Sequence, residues 1–303
     1  MAQNGTSSPV CGGIEGGGTK FVCAVGTGPG EGLQAMISFA TGTAEATISQ
    51  AIAFFQDQQQ RIGPIRALGL GMFGPVDLRR ESSGYGRVLH TPKPGWSGVD
   101  IVGPLARALG VPVAFDTDVN AAALAEWRWG AAQGCDPALY LTVGTGIGGG
   151  VVVGGRPLHG LLHPEMGHIH VRRHPDDPES FRGVCPFHGE CLEGMASGPA
   201  LEKRWGVRPD TLPEDHLGWD IEACYLAQAL TAYIYSLSPQ RVVLGGGVMR
   251  KAGLLNKVRG QVRAMLSGYI TSALVEERID AYIVPPALGD QAGVLGAMAL
   301  AGC

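Results

Sequence analysis

Short apolar runs separated by glycine turns dominate the first forty residues. Residues 10–15 and 21–25 are two β-rich runs on either side of Gly16-Gly17-Gly18-Thr19-Lys20, which predicts a strand, a tight turn and a returning strand. A third strand is expected near 35–39. Residues 43–60 change period: Ala46, Ile48, Ala51, Ile52 and Phe55 fall on one helical face behind Thr43, a residue suited to cap a helix. A buried strand at 66–71 ends at Phe73-Gly74-Pro75, and the stretch to residue 97 is irregular and rich in Gly, Pro and Ser. Loops this long in a compact domain are often functional. A helix at 99–109 and a strand at 111–115 follow, and the strand runs into Asp116-Thr117-Asp118-Val119-Asn120 ahead of a helix at 121–129.

The second half repeats the alternation. Strands at 139–143 and 150–153 flank Gly144-Thr145-Gly146-Ile147-Gly148-Gly149, which contains G-x-G-x-x-G. A dinucleotide fold requires a helix after that motif, and a strand follows instead, so the spacing predicts a hairpin with backbone N–H groups facing a phosphate. A helix at 217–237 precedes a strand at 241–244, a Gly245-Gly246-Gly247 turn opening a helix around 251–266, a strand at 282–284 and a closing helix at 290–300. This order predicts an α/β protein of two lobes. Residues 1–9 are expected to be a disordered tail, 10–117 the first lobe with the helix at 289–302 packed on it, and 118–288 the second.

A length of 303 residues agrees with two cores, and 45% hydrophobic residues can fill both. Charged residues are 17%, the net charge is −4 and no Lys/Arg block occurs, so neither nucleic acid nor an anionic membrane is expected as a partner. The first residues lack a basic segment followed by an apolar one, and no run of about eighteen apolar residues exists, so a soluble cytoplasmic protein is expected. The seven cysteines, scattered and odd in number, suit a reducing compartment better than a disulfide framework. The 48 glycines cluster in turns, which points to backbone approaching phosphates.

Ligand-type side chains concentrate in residues 163–193. Cys185, His188 and Cys191 form C-x2-H-x2-C, three donors in one turn that suit a tetrahedral zinc ion. The fourth ligand must come from elsewhere. His168 is the first choice because Gly167 beside it lets the chain fold back closely; His163, His170 and His174 are its rivals.

Three glycine turns, centred on residues 17, 146 and 246, each follow a strand, and together they resemble the actin-like ATPase (ribonuclease H-like) fold, whose active-site cleft lies between two lobes. The residues 14–20, Asp116 to Asn120, 141–149, Leu158-His159-Gly160, 163–168 and 185–193 resemble the ROK-family sugar kinases, and among them the zinc-containing bacterial fructokinases. The resemblance implies that Asp118 is the general base that takes the proton of the attacking sugar hydroxyl, with Asp116 as its rival. It implies sugar contacts from Gly74, Pro75, Thr117, Asp118, Glu165, His168 and Glu193. It implies nucleotide contacts from Gly16, Gly17, Gly18, Thr19, Lys20, Gly144, Thr145, Gly146, Lys203, Gly245, Gly246, Gly247 and Val248. Zinc on His168, Cys185, His188 and Cys191 would be structural.

The expected activity is ATP- and Mg2+-dependent phosphorylation of a hexose, D-fructose first, with mannose, glucose or an N-acetylhexosamine as alternatives, by a homodimer. A non-catalytic sugar sensor is the remaining alternative; the family's repressors carry a helix-turn-helix before the first glycine turn, and about a dozen residues precede it here. Two departures from the family stand out. Glu15 replaces the usual Asp, and residues 172–182 lengthen the spacer between His168 and Cys185.

Overall fold

The computed structural model describes residues 9–303. The expected tail therefore lies, apart from Pro9, outside the described residues. The chain forms two compact units: 9–130 with 156–163 and 288–303, and 131–155 with 164–287.

In chain order the first unit begins with β1 (Cys11–Gly16), β2 (Lys20–Gly26), β3 (Leu33–Ala40), α1 (Ala44–Ile62), β4 (Leu68–Met72), α2 (Val102–Leu109), β5 (Val113–Thr117) and α3 (Asp118–Trp129). The second contributes β6 (Ala138–Val143) and β7 (Ile147–Val153), after which β8 (Arg156–Pro157) leads out. It continues with α4 (Leu192–Ala196), α5 (Gly198–Trp205), α6 (Gly218–Leu237), β9 (Arg241–Gly245), α7 (Leu254–Leu266), the short α8 (Ala273–Glu276) and α9 (Ile279–Tyr282), and β10 (Ile283–Val284). The closing helix α10 (Ala292–Leu300) returns to the first unit.

The first sheet has the order β3-β2-β1-β4-β5, with β1, β2 and β3 antiparallel and β4 and β5 parallel to β1. One core cluster gathers Ile14, Phe21, Phe55, Leu68, Leu70, Trp96 and Leu105, all essentially inaccessible. Thr43 caps α1 by accepting the Ala46 N–H. The opposite cluster is built on α10, where Val294, Leu295 and Met298 meet Cys11 and Ala24. Close approach there depends on glycine: a methyl at Gly69 would stand 1.6 Å from Ala297 O, and one at Gly296 would stand 1.8 Å from Ala121 O.

That second contact corrects the expected lobe boundary. Because α3 lies against α10 with no side chain between Gly296 and the Ala121 carbonyl, the whole helix belongs to the first unit, and the chain leaves it after Gly130 instead of at 117/118. The segment 156–163 also returns to the first unit, which the linear division could not contain.

The second sheet has the order β10-β9-β6-β7-β8, an antiparallel β6–β7 hairpin with β9 parallel to β6 and β10 parallel to β9. Two local expectations change. The hairpin turn is tighter than residues 144–149: Gly144 N donates to Gly146 O at 2.9 Å, and Gly148, Gly149 and Gly150 are already inside β7. The turn Gly245-Gly246-Gly247 opens onto one 3-10 turn, Val248–Arg250, and α7 starts later, behind Gly253 at φ 77°.

Cys11 and Cys303 form a disulfide, with Cα atoms 6.1 Å apart, whereas the scattered, odd-numbered cysteines had suited a reducing compartment better than a disulfide framework. The packing of α10 along β1 brings these two residues together. Cys23, Cys135, Cys185, Cys191 and Cys224 are free. No helix among the described residues is long and apolar enough to cross a membrane.

Candidate active site and metal centre

The strand-to-helix corner at 116–120 is held by side-chain hydrogen bonds. Thr117 caps α3, its Oγ1 accepting the Asn120 N–H at 3.1 Å, so Asp118 is the first helical residue and not the cap. Asp116 is buried and saturated. Its Oδ1 accepts the Thr117 N–H at 2.8 Å and the Asn120 side-chain amide at 2.7 Å, and its Oδ2 lies 2.9 Å from His159 Nε2. Asp118 Oδ1 accepts the Val119 N–H at 2.9 Å. Burial pushes its pKa up to about 6, against the opposing pull of the backbone hydrogen bonds. A carboxylate held near neutrality in this way is suited to accept a proton late in a transfer.

Glu15 lies in β1, with β4 between it and β5. Burial first, then the charge of Asp118, raise its pKa to about 7, while Lys20 pulls the other way. Its Oε2 is buried without a hydrogen-bond partner. The longer side chain in place of the family's Asp is accommodated by α10: a methyl at Gly293 would sit 2.4 Å from Glu15 Cδ. The turn beyond it is closed by Gly17 N–H to Lys20 O at 2.9 Å and braced by Thr41 Oγ1 to Gly17 O at 2.8 Å, leaving Thr19 and Lys20 exposed. Phe73 N–H donates to Gly16 O at 2.7 Å, so the Gly74-Pro75 loop starts beside this turn. Val76 N–H then donates to His163 Nε2 at 3.2 Å.

In the second unit, the Gly144-Thr145-Gly146 turn is held by Glu193. Ile147 N–H donates to Glu193 Oε2 at 2.9 Å, and a methyl at Gly146 would lie 2.6 Å from that oxygen. Gly198 N–H donates to Gly144 O at 2.8 Å, tying the start of α5 to the same turn. Gly246, at φ 98°, backs onto Val143. The glycine segments 144–146 and 245–247 are thus neighbours at the ends of adjacent strands. Lys203 is exposed on α5.

His168, Cys185, His188 and Cys191 offer donor atoms within 4.8 Å of one another. Cys185 Sγ is 3.8 Å from His168 Nδ1 and 3.7 Å from His188 Nδ1, and Cys191 Sγ is 3.5 Å from His168 Nδ1. On a tetrahedral zinc with bonds of ~2.3 Å to sulfur and ~2.0 Å to nitrogen, sulfur and nitrogen lie ~3.5 Å apart, so the donor set fits that ion. Of the four histidines weighed for the fourth place, His168 is the one that reaches this group. Burial raises the pKa of the Cys191 thiol. Gly167 makes the approach possible, since a methyl there would stand 1.9 Å from Ile147 O. Exposed Glu165 begins the same 3-10 turn, and its carbonyl accepts the His168 N–H at 3.0 Å.

Residues given no such role, or a different one, from the sequence support these sites. His159 and His163 bond the crossing segment to the first unit. Arg204 anchors the lengthened spacer: it pairs with Asp177 at 2.9 Å, both side chains fully buried, lies over the Phe181 and Tyr225 rings, and donates to Met195 O at the end of α4. An arginine at the second turn of an amphipathic helix gives no signal in sequence that its partner lies 27 residues earlier.

The chain is 45% identical to the fructokinase of Zymomonas mobilis over 95% of each chain. Among solved structures it superposes on a ROK hexokinase from Thermus thermophilus with a TM-score of 0.79 and 32% identity, covering 97% of this chain and 98% of that one. A ROK-family glucokinase from Streptomyces griseus, in complex with glucose and AMPPNP, matches with a TM-score of 0.75 and 27% identity over 97% and 99%. The fold is that of the actin-like ATPases. The description of the ROK family matches residues 11–302, and the chain belongs to the ROK family.

Proposed function

We propose that the protein is an ATP-dependent hexose kinase that phosphorylates D-fructose at O6. One observation carries the reading: Asp118, at the first position of α3, holds a carboxyl whose pKa burial has raised to about 6, in a chain that aligns end to end with a fructokinase. In-line phosphoryl transfer asks the protein mainly to position the nucleophile and to accept its proton. Asp118 takes the proton of the sugar O6 hydroxyl as that oxygen attacks the γ-phosphorus and the bond to the β–γ bridging oxygen breaks, releasing ADP. Asp116 is unsuited to the role because its oxygens already serve Thr117, Asn120 and His159.

Glu165, His168 and Glu193 are assigned to the sugar hydroxyls, as are Gly74, Pro75 and Thr117. The backbone of the turns at 16–20, 144–146 and 245–247, with Val248 and Lys203, receives the nucleotide, which arrives as its Mg2+ complex. Zinc on His168, Cys185, His188 and Cys191 keeps the loop that presents Glu165 and His168 folded. A homodimer in the cytoplasm is part of this reading; light scattering of the purified protein tests the dimer, and a monomeric mass would remove it.

The experiment is a coupled assay with MgATP and fructose, mannose, glucose and N-acetylmannosamine. Fructose should give the highest kcat/KM, and Asp118→Asn should lose at least ~10³-fold in kcat while keeping its melting temperature. A preference for glucose or mannose would reassign the substrate. Sugar binding with no ATP consumed would establish a sensor and end the kinase reading.

A further inference from the structure

His159 sits on the segment 156–163 that crosses back to the first unit, and its ring is 2.9 Å from Asp116 Oδ2. The geometry around that contact has one direction of dependence. Asp116 gives its other oxygen to the Thr117 N–H and the Asn120 amide, and Thr117 in turn caps Asn120, so one carboxylate spans the whole turn from which Asp118 emerges. A carboxylate this deeply buried needs a hydrogen-bond donor on its second oxygen, or it must turn toward water and release its first set of bonds. The imidazole supplies that donor. Its Nε2 also lies 3.5 Å from the Asn120 side-chain nitrogen, close enough to limit where that amide can go. Beyond His159, the same segment is fastened a second time by His163, which accepts the Val76 N–H beside Gly74-Pro75.

We infer that His159 is a positioning residue for phosphoryl transfer: through Asp116 and Asn120 it fixes the first turn of α3 and with it the aim of Asp118. The inference rests on the reading of Asp118 as the base. Asp118 has no side-chain clamp of its own in this turn; its orientation is inherited from the backbone that Asp116 holds. Displacement of a reacting group by about 1 Å costs up to about 10²-fold in rate, so a loosened turn is paid for in kcat. The side chain of His159 is 42% exposed, which means its removal opens no core and leaves the fold standing.

Steady-state kinetics of the full chain with fructose and MgATP test it. His159→Ala should lower kcat about tenfold with KM for ATP unchanged, and its melting temperature and zinc content should match the parent. His159→Gln, whose amide can still donate to Asp116, should recover to within about threefold of the parent. Asp116→Asn should resemble His159→Ala, and the double variant should be no slower than either single one, because both changes break the same chain of contacts. A parental kcat for His159→Ala, a His159→Gln as slow as His159→Ala, or losses that multiply in the double variant would each overturn the inference. Asp118→Asn run alongside separates the two claims: if it stays active the base assignment itself fails, whereas an inactive Asp118→Asn with a fully active His159→Ala removes only the role of His159.

Discussion

At the scale of single residues the chemistry depends on environment more than on residue type. Asp116 and Asp118 are two positions apart in one strand-to-helix corner, yet Asp116 has both oxygens bonded and Asp118 is left with a backbone partner and a pKa raised to about 6. A base works in its ionised form. The rate should therefore rise with pH as Asp118 loses its proton, and kcat/KM for fructose should fall about tenfold for each unit below ~pH 6. A profile measured from pH 4.5 to 8 checks this, and one that stays level down to pH 5 would show that the titrating base is not this carboxyl. The candidates Asp118, Glu165 and His168 were legible because each sits in a short motif whose spacing carries meaning. The pairing of His159 with Asp116 was not, because the two are 43 residues apart and no periodicity links them.

Elements were easier to read than their company. The strand and helix spans and the Thr43 cap follow from period and capping chemistry, which act over a few residues. What an element packs against is decided by distant surfaces: nothing in 118–129 says that Ala121 will meet a glycine of α10, so the helix was placed in the wrong unit. The 3-10 turn Met166–His168 is a further case where one position decides an element's seat. Gly167 lies so close to Ile147 O that a methyl would be at 1.9 Å, a contact real side chains do not tolerate. Gly167→Ala should push the turn off β7 and move Glu165 and His168 together. The expected outcome is a rise of about tenfold or more in KM for fructose, a smaller change in KM for ATP and bound zinc below one equivalent per chain. Metal analysis with a two-substrate kinetic matrix measures all three, and an unchanged KM for fructose would separate the turn from sugar binding.

For the molecule as a whole, the closing helix matters most. α10 is apolar on all sides, with every residue from Ala292 to Ala299 buried, and it fills the face of the first sheet opposite the Phe55–Leu70 core while giving room to Glu15 at Gly293. Its register against β1 is what sets the carboxyl of Glu15 in place. The Cys11–Cys303 disulfide fastens the chain just beyond that helix to the first residue of β1, closing a loop of 292 residues. A cross-link of so long a loop removes much entropy from the unfolded chain, and the expected stabilisation is about 2–4 kcal/mol. Cysteine spacing could not reveal it, since sequence separation says nothing about which ends a fold brings together. Where the thiols are kept reduced, α10 holds its place by packing alone, so activity should survive reduction while stability falls. Cys303→Ser, or the parent protein in excess dithiothreitol, should melt about 3–6 °C lower than the oxidised parent with kcat within about twofold. A melting temperature that ignores both treatments would mean that the two sulfurs are not joined in solution, and a loss of kcat without a loss of stability would mean that the bond, and not the helix packing, sets the position of Glu15.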